Sequence, residues 1–122
     1  GGLFSPVGDT TLNADLARDL GLPLVVVDSA RLGAIGRTLA VAAAAAARGL
    51  RLAAVVLSHV EPPGGDDHDP ASPTAIARQS AADLARRLGS VPVAMLAHGA
   101  DMIEPALDWL ALARAPDRQA SK

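Results

Sequence analysis

The sequence predicts an α/β domain in which helices flank a parallel sheet. Three observations predict it. Helical and strand-like segments alternate along the chain. The strand-like segments are continuous aliphatic runs rather than apolar–polar alternations. Each run ends in a short turn rich in Asp, Ser, His or Gly. Continuous apolar runs mark strands covered on both faces, which is what crossover helices do to a parallel sheet.

The elements follow in order. Thr10 to Leu20 reads as a helix, with Leu12, Leu16 and Leu20 on one face and Gly21 as its stop. Leu24–Asp28 is a β-branched run expected to be buried on both faces. A helix is expected from about Gly33 to Arg48, its apolar stripe formed by Leu32, Ile35, Leu39 and Ala43 and its end marked by Gly49. Its Ala42–Ala47 run has high helix propensity and allows close packing on a sheet. Leu52–Ser58 is the second strand, and Glu61–Pro73 a loop dense in Pro, Gly and Asp. Ala75–Leu88 reads as a third helix and Val91–Leu96 as a third strand. Ile103–Ala113 reads as a last helix with Pro105 in its first turn. Residues 1–113 then make one α/β domain, and 114–122 a disordered tail.

Composition narrows the function. Half of the 122 residues are hydrophobic, but Phe4 and Trp109 are the only aromatic ones, so the core must be aliphatic. A net charge of −2 with no Lys/Arg block gives no footprint for nucleic acid. No apolar run approaches the ~20 residues of a membrane span. Cysteine is absent, which rules out disulfides and thiol chemistry and fits a cytoplasmic protein. The chain opens on Gly1-Gly2 rather than Met, so it reads as a fragment, a processed product or an engineered start.

Ligands of parallel α/β sheets bind at the carboxyl ends of the strands. Three places should therefore share one edge: Asp28-Ser29, Ser58-His59 and Ala97-His98-Gly99. Asp28 resembles a receiver-domain phosphoacceptor only in its place at a strand end; capping the next helix with Ser29 is the simpler role. Ser58, His59, His98 and Asp101 lack the Gly-x-Ser-x-Gly elbow of a hydrolase triad. Asp66-Asp67-His68-Asp69 lies in the Gly/Pro loop and reads as solvated rather than metal-binding. A three-stranded sheet would also leave two apolar edges, which invite cover from further polypeptide.

The ordered segments resemble those of one family. Gly1-Gly2-Leu3-Phe4-Ser5-Pro6 is similar to the end of the Glu-Gly-Ala-Gly-Gly stretch of dethiobiotin synthetases. Asp15-Leu16-Ala17 with Leu22–Val27 resembles the next family helix and strand. Arg31-Leu32-Gly33-Ala34-Ile35 resembles the family's Leu-Gly-x-Ile-Asn-His segment. Arg48-Gly49-Leu50 with Ala53–Leu57 resembles the helix end and strand that follow. The resemblance runs from Gly1 to about Leu110 and implies a P-loop NTPase-like (Rossmann-like) fold whose N-terminal half is missing.

It also implies a reaction, in which 7,8-diaminononanoate, carbon dioxide and ATP give a cyclic urea, with Mg²⁺ as cofactor. In the family, a Gly-rich loop with Lys holds the phosphates and Thr, Asp and Glu hold Mg²⁺. None of these is present: there is no GxxxxGK[ST], and the only lysine is Lys122. No catalytic residue and no metal ligand is therefore expected in this chain.

Two accessory surfaces are implied instead. Gly33-Ala34-Ile35-Gly36-Arg37 would hold the substrate carboxylate at a helix start, across a homodimer interface. Gly36 and Arg37 stand where the family has Asn-His. A nucleotide surface would comprise Gly1, Ser58, His59, Ala97, His98, Gly99 and Glu104, with Ser58-His59 replacing the family's Asn-Asp and Glu104 reaching the ribose. A hydroxyl cannot reproduce the paired donor and acceptor of an amide. A non-catalytic binding or regulatory module remains an alternative, as does the related synthetase-like domain of cobyrinate amidation and phosphate acetyltransferase enzymes.

Overall fold

A computed structural model of the chain describes residues 2–64 and 68–115. Within them the elements are α1 (Asn13–Leu20), β1 (Leu24–Ser29), α2 (Ala34–Ala47), β2 (Leu52–Ser58), α3 (Pro73–Leu88), β3 (Val93–Leu96), β4 (Ile103–Glu104) and α4 (Trp109–Arg114). The sheet order is β1-β2-β3-β4, with the first two pairings parallel and the last antiparallel. The expected helix–strand alternation and parallel core are present.

The core forms where α2 and α3 lie on the sheet. Val55 and Leu57 of β2 are fully buried against Ala30, Ala34, Ala77 and Leu84, with Val26, Ile35, Leu39 and Met95 packed around them. A second cluster joins Ala14, Ala45 and Leu50 to Leu3, Ala17 and Leu24. Alanines at these contacts let the helices sit close to the strands, which explains how a chain poor in aromatic residues still closes its core.

Four expectations are corrected. First, β1 is buried on one face only. Val26 enters the core, whereas strand alternation turns Val25 and Val27 to the opposite face, where they are 44% and 64% exposed. Second, α1 packs through Ala14 and Ala17, leaving Leu16 and Leu20 exposed; the small residues allow the closer approach. Third, Leu32 is 86% exposed and Ala43 is exposed, so the α2 stripe is made by Ala34, Ile35, Thr38, Leu39 and Ala45 instead.

The fourth correction concerns Ile103–Ala113, which is not one helix. Ile103 and Glu104 pair with Leu96 and Met95 along the outer edge of β3. A cis Glu104–Pro105 bond follows, and a helix starts only after Asp108, whose side chain accepts the Ala111 N–H at 2.9 Å. Pro105 has no N–H to donate, so the ladder stops there. Arg51 closes the far end of α4, its Nη2 donating to the Leu112 and Ala113 carbonyls at 2.8 and 3.2 Å. Arg114, read as tail, ends α4, while residues 116–122 lie outside the described residues.

The loop after β2 is shorter than expected because α3 begins at Pro73. Ser72 is its N-cap and accepts the Ala75 N–H at 3.2 Å, with Pro at the first helical position. Asp66 and Asp67 of the acidic loop lie outside the described residues. Among the described residues, no helix is long and apolar enough to cross a membrane.

Candidate functional site

The carboxyl ends of the parallel strands meet along one edge, as the topology requires. Ser29 of β1 is level with Ser58 of β2, and Ser58 with Leu96 of β3. The turns beyond them are stitched by main-chain bonds: Ala30 N–H donates to Ser58 C=O at 2.8 Å, and His59 N–H to Leu96 C=O at 2.9 Å. Two candidate surfaces lie on this edge.

The first is the turn from β1 into α2. Gly33 is the N-cap, with φ of 90°, a region that favours glycine. The Ala34 N–H donates to Arg31 C=O and the Arg37 N–H to Gly33 C=O. The intervening N–H groups of Ile35 and Gly36 have no acceptor among the described residues, so the helix start presents free donors.

Arg37, although nearly half exposed, is tied back to the turn. Its Nε donates to both Asp28 carboxylate oxygens, at 3.2 and 3.0 Å, while Nη1 donates to Leu32 C=O at 3.1 Å. Nη2 reaches the Ser29 carbonyl at 3.2 Å and its hydroxyl at 3.3 Å. The helix-capping role expected of Asp28 with Ser29 is thereby corrected. No side chain caps α2, and Asp28 instead accepts the Ser29 N–H at 2.8 Å and pairs with Arg37. Arg31 reaches across the edge to Glu61 in a second ion pair.

The second surface is a cleft of about 440 Å³ between the start of α3 and the segment joining β3 to β4. His59, Ala97 and Glu104, three of the sequence candidates, line it together with Thr74, Arg78 and Pro105. Ser58 does not. By alternation it points to the face opposite Leu57 and Met95, whereas Met95 lines the cleft. His98 and Gly99 form an exposed turn beside the cleft, closed by the Ala100 N–H donating to Ala97 C=O at 3.1 Å. Gly1 lies outside the described residues.

Thr74 and Arg78 are not among the sequence candidates: with Pro73 read as loop, Thr74 falls before the expected helix, and Arg78 within it has no partner to mark it. The Ser72-Pro73 cap would have found them: it starts the helix early and places two polar residues four apart, on one face. No hydrogen bond joins the side chains of Ser58, His59, His98 and Asp101 to one another among the described residues.

An open, mainly parallel sheet flanked by helices fits the P-loop-type α/β class, and the family model described as an AAA domain matches residues 1–98. Within that class, the chain belongs to the dethiobiotin synthetase family. It is 38% identical over 104 residues to the ATP-dependent dethiobiotin synthetase BioD of an Anaeromyxobacter strain, covering 85% of this chain and 43% of the relative. It is 47% identical over 62 residues to the protein of the same name from Aromatoleum aromaticum, covering 51% of this chain and 28% of the relative. The matched stretches thus span less than half the length of either relative.

Proposed function

We propose that the chain is part of an ATP-dependent dethiobiotin synthetase, supplying the surface for the nucleotide base and ribose and the turn for the carboxylate of the second substrate. The observation that carries this reading is the convergence of His59, Ala97 and Glu104, from three separate segments, on one cleft of about 440 Å³. That volume lies within the range of small-molecule sites. The similarity to proteins named ATP-dependent dethiobiotin synthetase supports the same reading.

In this reading, carbon dioxide adds to one amine of 7,8-diaminononanoate as a carbamate. ATP phosphorylates a carbamate oxygen, and the second amine attacks the carbonyl carbon. Phosphate leaves, the amine loses its proton, and the cyclic urea is closed. The residues of this chain bind and orient. His59 and Arg78 offer a flat ring and a planar donor group to the base, and Glu104 accepts a bond from a ribose hydroxyl. The free Ile35 and Gly36 N–H groups receive the carboxylate at the positive end of the α2 dipole. A second copy of the protein completes that turn in a homodimer.

The remaining parts of the nucleotide do not fit these residues. Phosphates need a cradle of N–H groups with a lysine, and Mg²⁺ needs carboxylate or hydroxyl oxygens around it. The only lysine is Lys122, and no group of three metal-ligating side chains comes together among the described residues. Phosphate and Mg²⁺ binding are therefore assigned to polypeptide beyond this chain. The open outer edge of β1, with Val25 and Val27 exposed beside it, supports a sheet that continues there.

Calorimetry and a ring-closure assay test the reading. The 122-residue chain alone is expected to bind Mg²⁺-ATP no more tightly than about millimolar and to turn over no substrate. Adding a polypeptide that carries the phosphate loop should restore turnover. Micromolar ATP affinity or turnover by the chain alone overturns the proposal.

A further inference from the structure

The guanidinium of Arg37 is the hub of the β1–α2 turn. It has five N–H donors in a planar fork, and three nitrogens of that fork are engaged at once: Nε with Asp28, Nη1 with Leu32 C=O, and Nη2 with Ser29. Asp28 is the more enclosed partner, with 19% of its side chain exposed against 46% for Arg37. The side chain runs directly over Gly33, where an added Cβ would meet Nη1 at 2.9 Å. Beyond Gly33 the turn opens outward: apart from its chain neighbours and the backbone of its own helix, nothing among the described residues lies within 4 Å of where a Cβ of Gly36 would stand.

We propose that Asp28 is a positioning residue that holds Arg37 across Gly33, fixing the turn that carries the free Ile35 and Gly36 N–H groups and cancelling its own charge beside an anion site. The identity of the anion as a substrate carboxylate rests on the function proposed above; the clamp itself rests on the bonds just given. Arg37 in this arrangement acts through the turn rather than by seizing the carboxylate.

Two consequences separate this role from direct contact. A lysine cannot replace Arg37, because a single ammonium nitrogen cannot span the five acceptor atoms on Asp28, Ser29 and Leu32 that the planar fork reaches. Removing Arg37 alone is also worse than removing the pair, because it leaves the Asp28 carboxylate uncompensated beside the site, where it repels an incoming anion. If Asp28 did not stand beside the site, losing it as well would bring no recovery.

The test uses the ¹⁵N-labelled 122-residue chain, with nonanoate as the probe. NMR follows the Arg37 Nε–H and the amides of Ile35 and Gly36. The unsubstituted chain should show a slowly exchanging Arg37 Nε–H and saturable shifts at both amides. Asp28→Asn should speed that exchange, because it removes the carboxylate that accepts from Nε. Arg37→Ala should weaken nonanoate binding roughly tenfold, Arg37→Lys should not rescue it, and Asp28→Ala/Arg37→Ala should bind better than Arg37→Ala alone. Unchanged Nε–H exchange in Asp28→Asn, or a double variant no better than Arg37→Ala, overturns the positioning role. An unsubstituted chain whose amides do not respond to nonanoate overturns the carboxylate reading instead, and the Nε–H signal still decides the clamp.

Discussion

At the β1–α2 turn, polar side chains are tied to nearby main chain and to one another: Asp28 to the Ser29 N–H, and Arg37 to Asp28, Ser29 and Leu32. At the cleft past β3, the side chains of His59, Arg78 and Glu104 make no hydrogen bond among the described residues. Both places lie on the same edge of one sheet and both use a glycine at positive φ, Gly33 at 90° and Gly99 at 71°. The turn is pre-organised by bonds it already contains. The cleft has walls but no internal bracing, so its side chains are free to take the geometry a ligand imposes. Pre-organisation costs ligand affinity little, whereas ordering loose side chains costs about 0.5–1.5 kcal/mol each.

The largest expected effect comes from placing alanine at each of the two glycines. Both substitutions put a Cβ on a left-handed residue, which costs about 1–2 kcal/mol. They differ in what the Cβ meets: Arg37 Nη1 at 2.9 Å for Gly33, and nothing within 4 Å for Gly99. Gly99→Ala should therefore lose only the backbone contribution. Gly33→Ala should lose about 1 kcal/mol more, because the guanidinium must move off its acceptors. Urea denaturation of both variants measures the difference, and equal losses would show that the turn is no more tightly built than the cleft.

The contrast also explains what could be read from sequence. The parallel strands were legible because Val25-Val26-Val27 and Ala53–Leu57 are runs that a buried sheet needs, and the helix ends because Gly21 and Gly49 stop them. The common edge of Asp28, Ser58 and Ala97 followed from topology alone. Exposure did not follow. Val25 and Val27 look like their half-buried neighbour Val26, and strand alternation in a strand at the rim of the sheet sets them apart. Ile103–Glu104 was misread because two residues pairing with β3 have no pattern of their own; the ladder, not the local sequence, makes them a strand. At the site, Arg37, Asp28 and Ser29 are each legible as candidates, but the bonds between them are not, since a bond back to Asp28 nine residues earlier has no periodicity to betray it.

A smaller effect tests how firmly the turn is seated. One helical turn beyond Ala34, Thr38 is 1% exposed and its hydroxyl has no hydrogen-bond partner among the described residues. A buried hydroxyl without a partner costs about 1–3 kcal/mol, and valine keeps its shape. Thr38→Val should therefore stabilise the chain by about 1 kcal/mol, read as a higher denaturation midpoint with an unchanged slope. The Gly33→Ala loss should remain the same in that background, because the Thr38 hydroxyl has no hydrogen bond among the described residues for the change to disturb. A destabilised Thr38→Val variant would mean that the hydroxyl is satisfied, and that the ground beneath the turn is polar rather than merely packed.

The smallest expected effect belongs to the helix that carries the cleft residues Thr74 and Arg78. On the same helix, Asp83 accepts a hydrogen bond from Arg87 Nε at 2.9 Å and another from Arg86. The bond from Arg87, then that from Arg86, hold its carboxyl below the usual aspartate value. A carboxyl whose pKa is lower in the folded chain favours folding above its unfolded pKa of about 3.9. The contribution fades as pH falls through the lower folded value. Asp83→Asn should therefore melt slightly below the unsubstituted chain at pH 7, and the gap should close as the pH is taken well below 4. Because its partners Arg86 and Arg87 are exposed, added salt should shrink the gap at neutral pH as well. A gap that stays constant from neutral to acid pH would mean that Asp83 acts through packing rather than charge, and that the cleft helix is braced more like the turn than its unbonded side chains indicate.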